Sequence, residues 1–259
     1  MAARRPGKQA AAPRGRSGIS LGLLSALLLV ALVFAGWQAL TRPDRLPVRR
    51  IEITGEFTHL RTADIERRVA QVLDGGFLDL DMRQVRAAVM ALPWVDQVSV
   101  RRVWPDTLRM HVVEQVPLAR WNEDALVNLR GQVFRPDPLP ALDGLPRLRG
   151  EDGMAPEVVA FYLRLHAGGL PEGLEIAELA RNQRGEWRVV FANRLELMLG
   201  REDLGARLAA FSRIYPQLAA HMGRRPRRID MRYEHGFAVQ WQPADEAQAS
   251  LAGGGTGEI

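Results

Sequence analysis

The sequence contains no cysteine. That excludes disulfides, thiol nucleophiles and thiolate metal sites. The absence suits a protein exported to an oxidising space, where a stray thiol is a hazard, and equally suits many cytosolic proteins. Lysine is nearly missing too: Lys8 stands alone among 35 basic residues. The histidines are His59, His111, His166, His221 and His235, and none lies in an HExxH, HxH or CxxC-like context. No GxSxG elbow, Ser-x-x-Lys pair or GxxxxGK phosphate loop occurs. Of the acids that stand near each other, Asp81 reads as a helix cap beside Asp79, and Glu202 and Asp203 as a helix start. The expectation is a protein that is not an enzyme, with no cofactor, no metal and no small-molecule substrate.

The net charge of +5 sits in one place. Arg4, Arg5, Lys8, Arg14 and Arg16 fall within residues 1–18 without an acid, so the remainder of the chain is neutral. A short basic tail is not the basic face of a nucleic-acid-binding domain, and no nucleic-acid partner is expected. The run Arg224-Arg225-Pro226-Arg227-Arg228 reads as a solvated loop or as a contact for anionic lipid or an acidic partner.

One apolar run stands out. Ile19 to Leu40 carries no charge, and 12 of its residues are Leu, Ile, Val or Phe. As a helix this length reaches about 33 Å, against a hydrocarbon core of roughly 30 Å. The run is longer than a signal-peptide core and lacks a clear small-x-small cleavage site around Ala35-Gly36-Trp37-Gln38-Ala39. It is expected to be an uncleaved transmembrane helix over 19–40. Arg42, Arg45, Arg49 and Arg50 follow it, so the basic bias favours a cytoplasmic N-terminal tail (1–18) by a small margin.

Beyond a linker with Pro43 and Pro47 the pattern alternates. Val48 to Thr54 reads as a strand ended by Gly55. A helix starts with Thr62 as N-cap and shows Ile65, Val69, Val72 and Leu73 on one face, stopping at Asp74-Gly75-Gly76. A second helix is capped by Asp81 with Gln84 three residues on, carries Met82, Val85, Val89 and Met90, and ends at Pro93. Strands Trp94 to Trp104 and Thr107 to Gln115 flank a Pro105-Asp106 turn, with Val100 expected to face the core. Further on, a hairpin over Leu126 to Phe134 turns near Arg130-Gly131, and Pro156 opens a helix that Gly168-Gly169 closes. Strands are expected at 174–179, 187–191 and 195–199, a helix at 203–218, and a last pair at 228–233 and 237–241 around Glu234-His235-Gly236. Residues 242–259 are small and polar and are expected to be disordered.

The strand-helix-helix-strand-strand order with Ile53-Thr54-Gly55 resembles a POTRA domain. The run Leu92-Pro93-Trp94-Val95, with Val98 to Leu108 and Glu114 to Trp121, is similar to the FtsQ (FtsQ/DivIB) bacterial cell-division family. So are Leu199-Gly200-Arg201-Glu202-Asp203 and Asp230-Met231-Arg232-Tyr233 with Gly236, Val239 and Trp241. The resemblance covers about 48–241. It implies an α+β protein: an N-terminal transmembrane helix, a POTRA domain (48–116) and a mostly antiparallel β domain with two helices (117–241). It implies a single-pass type II inner-membrane protein with periplasmic domains at the division septum, a divisome scaffold that recruits FtsB and FtsL and helps control septal peptidoglycan synthesis. By the same resemblance Arg201, Arg232, Tyr233 and Trp241 contact FtsB, with Glu56 a further candidate. Phe237 and Val239 complete the expected partner-binding set, because an exposed last strand between Phe237 and Trp241 offers an edge for strand addition. Tyr233 and Trp241 fit either an interface hot spot or the core of that hairpin. The alternative reading is a POTRA-type component of export or outer-membrane-protein assembly, which would call for several POTRA repeats or a barrel.

Overall fold

The computed structural model describes residues 17–40, 48–73, 77, 80–220, 224–234 and 236–242. The tails expected at 1–18 and 242–259, the linker around Pro43 and Pro47, the helix stop at 74–76, and Asp79, His221 and His235 lie wholly or largely outside those residues. Helix α1 runs over Ser17–Leu40. Its placed side chains, 22 to 38, are exposed and largely apolar. Among the described residues no helix is long and apolar enough to cross a membrane, so the span expected over 19–40 is not shown.

Two compact units follow. The first takes in residues up to 56, 61–91 and 97–112; the second takes in 57–60, 92–96 and everything from 113 on. In the first, β1 (Arg50–Thr54), β2 (Val95–Val103) and β3 (Thr107–Glu114) form a sheet in the order β1-β3-β2, with β1 parallel to β3. Helices α2 (Thr62–Ala70) and α3 (Met82–Met90) pack against each other. Burial follows the helical period: Ile65 and Val69 from α2, Val85 and Val89 from α3. Val98, Leu108, Met110 and Val112 complete this core, and Val100, expected inside, is half-buried.

Two further local expectations need correction, and one beside them holds. The residue before α2 is Arg61, still extended, and Thr62 is already helical, so its hydroxyl is no cap; Arg61 instead donates to Asp64. Asp81 does cap α3, accepting from the Arg83 N–H at 2.8 Å. Met90 is exposed, because it follows Val89 by one residue, a turn of about 100° off the buried stripe.

The second unit is built on one nine-stranded sheet. Its order is β12-β11-β10-β9-β8-β7-β4-β5-β6. The strands are β4 (Pro117–Trp121), β5 (Ala125–Asn128), β6 (Val133–Phe134), β7 (Arg147–Arg149), β8 (Ile176–Arg181), β9 (Trp187–Phe191), β10 (Glu196–Gly200), β11 (Pro226–Asp230) and β12 (Ala238–Trp241). The sheet is mixed: β4/β7, β7/β8 and β10/β11 are parallel pairs. Parallel neighbours need a crossover, which helices α4 (Ala155–Arg164) and α5 (Leu204–Ala219) supply for the last two. Short-range alternation reads hairpins well and does not reveal such pairings.

The strand pleat sorts the residues of this sheet onto two faces. Leu148, Leu179, Val189, Leu197 and Ile229 point to the core shared with Phe161 of α4 and Phe211 of α5. Their neighbours point the other way and form a row of alternating charge across five strands. Glu123 meets Arg149 (2.7 Å), which meets Glu178 (3.1 Å); Glu178 meets Arg188 (2.6 Å), Arg188 meets Glu196 (3.1 Å), and Glu196 meets Arg228 (2.6 Å). Each of these half-buried to exposed pairs still reaches solvent and contributes about 1 kcal/mol or less, and together they hold the register of neighbouring strands.

Candidate functional site

An open sheet edge is the first requirement for strand addition, and β12 is the last strand of its sheet. It pairs on one side with β11, antiparallel, through Arg228↔Gln240, Ile229↔Val239 and Asp230↔Ala238. Along an antiparallel strand, N–H and C=O of successive residues alternate in direction. The Gln242 N–H donates to the Arg225 carbonyl (3.0 Å), so Gln242, Gln240 and Ala238 turn their main chain toward β11. Val239 therefore turns its N–H and C=O to the outer edge. Its side chain packs on the core below.

The approach to this edge differs from the sequence reading. The strand expected over 228–233 ends at Asp230 and begins earlier, at Pro226. Asp230 stops it, because its carboxylate accepts from the Arg232 backbone N–H (3.0 Å) and from the guanidinium (2.9 and 2.8 Å), a turn that pulls the chain off the ladder. Half-burial pushes the Asp230 carboxyl up, but the hydrogen bonds from Arg232 outweigh that and hold it below its usual value. The same contacts raise Arg232, which also lies 3.5 Å from Glu186. Part of the 224–228 run, expected as a loop, is therefore strand, and Arg228 is committed to Glu196.

Tyr233 follows in the bend and is 60% exposed; Phe237 is 43% exposed. Both line a groove of about 740 Å³ with Arg232, Arg213, Asp203 and Ile214. Trp241 is half-buried on the same side of β12 as Val239. Arg201 is exposed and pairs with Glu202 at 3.0 Å, beyond Gly200, whose left-handed φ of 72° ends β10. The second unit thus brings together Arg232, Tyr233 and Phe237 on the groove and Val239 and Trp241 on the edge. Glu56 belongs to the first unit, exposed after Gly55. Sequence reasoning missed Asp230 as the organiser of the bend and Val239 as the outward main-chain position. The strand register would have been needed to find either.

The three described histidines have structural partners. Glu114 accepts from the backbone N–H groups of Thr58, His59 and Leu60 and contacts His59 Nδ1 at 2.9 Å, while His59 stacks on Trp94. His111 contacts the Thr54 hydroxyl, and His166 stacks on Tyr162. Among the described residues no group of three or more His, Asp or Glu could hold a metal.

Two families match this chain. A POTRA domain of FtsQ type covers residues 46–115, and the C-terminal region of cell division protein FtsQ/DivIB covers 119–232. The second match stops at Arg232, so it includes the Asp230–Arg232 contacts, while Tyr233 and β12 fall outside it. Proteins named cell division protein FtsQ align over most of the chain. The one from Allochromatium vinosum is 41% identical, covering 85% of this chain and 89% of its own. The one from Thioalkalivibrio is 37% identical over 89% and 96%, and that of Escherichia coli K12 is 35% identical over 86% and 82%.

Proposed function

The chain belongs to the FtsQ cell-division family, and from that premise we propose that it is a membrane-anchored division scaffold that works by binding and not by catalysis. Its β12 edge takes an added strand from the periplasmic part of FtsB, with FtsL held through FtsB, and so brings the septal peptidoglycan synthase under control. Arg232, Tyr233 and Phe237 flank the incoming strand. Arg201 and Trp241 border the site, and Glu56 serves a separate contact in the POTRA domain (48–116), apart from the β domain (117–241).

The observation that carries this reading is the outward main chain of Val239 on an end strand, beside an exposed aromatic pair. Strand addition uses main-chain hydrogen bonds, and exposed aromatics supply hot-spot area. The anchor is Ile19 to Leu40: a 22-residue uncharged run whose described side chains are exposed to whatever surrounds them. Its basic N-terminal tail stays in the cytoplasm and residues 41–259 lie in the periplasm.

Two experiments test the proposal. Alkaline phosphatase fused after Trp241 is active if the topology holds, and an inactive but stable fusion contradicts it. Full-length protein in nanodiscs, titrated with an FtsB periplasmic peptide, binds it; saturable binding that survives Val239→Pro in a folded protein places the partner elsewhere.

A further inference from the structure

The β2–β3 hairpin ends in Trp104-Pro105-Asp106, and Trp104 is 78% exposed, the most exposed large apolar side chain among the described residues. An indole left open at a tip has no role in the core. Its position in the fold suggests one. The chain enters the first unit at this same end: the Asp106 carbonyl accepts from the Arg49 N–H at 2.9 Å, and Arg50 pairs with Thr107 at the start of β1. Residue 40 ends α1, and the nine residues 41–49 span at most about 32 Å. The tip is therefore tethered within a short reach of the end of α1.

The chemistry around the tip is basic. Arg49, Arg50 and Arg101 are exposed, as is Arg102, which also donates to the Leu80 carbonyl; Arg42 and Arg45 precede them in sequence with Asp44 between, and the acid of the turn, Asp106, accepts from the Thr107 hydroxyl at 3.1 Å. An exposed tryptophan among arginines is the pairing that suits a bilayer surface: the indole sits among headgroups and the guanidinium groups meet anionic phosphate.

We propose that this hairpin tip is a second membrane contact, with Trp104 seated among the headgroups of the leaflet from which the anchor emerges and the surrounding arginines on anionic phospholipid. The contact rests on the reading of residues 19–40 as an anchor. It fixes the height of the first unit above the bilayer by two points instead of one.

The chain has no cysteine, so single-cysteine fluorophores report one site each. Full-length protein carrying Phe34→Cys, Arg101→Cys or Gln183→Cys is reconstituted in vesicles of phosphatidylcholine and phosphatidylglycerol. An acyl-chain nitroxide is expected to quench the label at 34, and a headgroup nitroxide the label at 101, while neither quenches 183. Adding Trp104→Ser should cut the quenching at 101 by at least half, and so should omitting phosphatidylglycerol. Quenching at 34 with none at 101 leaves the anchor standing and overturns the contact, assigning the tip to an aqueous protein partner. Unchanged quenching at 101 in Trp104→Ser removes the indole from the contact and overturns it as stated. No quenching at 34 by the acyl-chain nitroxide fails the anchor reading, and the contact falls with it.

Discussion

The nine-stranded sheet has two ends, and they are built differently. At one end β6 is two residues long, and Phe134 is buried with Trp94 edge-on at 5.3 Å. Its hairpin turn is wedged: Gly131 has φ 75°, and a Cβ there would overlap the Pro156 backbone at the start of α4. Arg130 adds an ion pair to Asp96. At the other end β12 is four residues long, its turn glycine Gly236 has nothing within 4 Å, and Tyr233 and Phe237 beside it are exposed. A short, covered end strand protects against unwanted pairing, whereas an open one invites it. The contrast points to one end of the sheet, and not both, for partner addition.

The largest expected effect breaks the wedge. Gly131→Ala puts a side chain into a left-handed turn against backbone and should cost about 3 kcal/mol, read as a lower thermal midpoint of the full-length protein. Gly236→Ala should cost under about 0.5 kcal/mol. Equal effects would erase the difference between the two turns.

The next comparison concerns the edges themselves. Val133 holds on β6 the place that Val239 holds on β12: the Asn128 N–H bonds to Gln132, so the main chain of Val133 turns outward. Proline at an outward edge position removes a donor without breaking the inner ladder. Val239→Pro should weaken partner binding at least about thirtyfold, roughly 2 kcal/mol, while Val133→Pro leaves it within a factor of about two. Tyr233→Ala should cost about 2 kcal/mol of binding if the open end carries the hot spot. Gln240→Pro is a different experiment, since Gln240 faces β11 and its substitution damages the hairpin.

The smallest effect is electrostatic. Glu196 is pushed up by burial but held below its ordinary pKa by its hydrogen bonds from Arg228 and Arg188. A carboxyl lowered on folding contributes stability that is fully present above its unfolded value, about 4.3, and is lost as pH falls through the folded value. Glu196→Gln should therefore lower stability above about pH 4, by under about 1 kcal/mol, and flatten the acid limb, so that variant and wild type converge as pH falls through the folded value. A variant with the wild-type acid limb would show that the charge row does not support β10 and β11.

Much of this fold was legible from sequence, for identifiable reasons. Ile65, Val69, Val85 and Val89 recur at helical spacing and are buried where expected. The Pro105-Asp106 and Arg130-Gly131 turns lie between strands as read. The parallel pairs were not legible, because a strand's partner across a helical crossover leaves no local mark. Trp241 and Tyr233 could not be told apart as core or surface, since aromatic character suits both; the Asp230 bend that puts Tyr233 in solvent depends on side-chain geometry. The edge position of β12 was expected from its place in the chain, but which of its residues faces outward emerged only from the Gln242–Arg225 hydrogen bond.

Strand addition at β12 turns on one amide. Backbone hydrogen exchange of full-length protein in nanodiscs, followed residue by residue with and without a saturating FtsB periplasmic peptide, reads it directly. The Val239 N–H should exchange readily in the free protein and become strongly protected on binding, while Ala238 and Gln240, already bonded to β11, change little. Saturable binding that leaves the Val239 N–H as exchangeable as before would contradict strand addition at this edge.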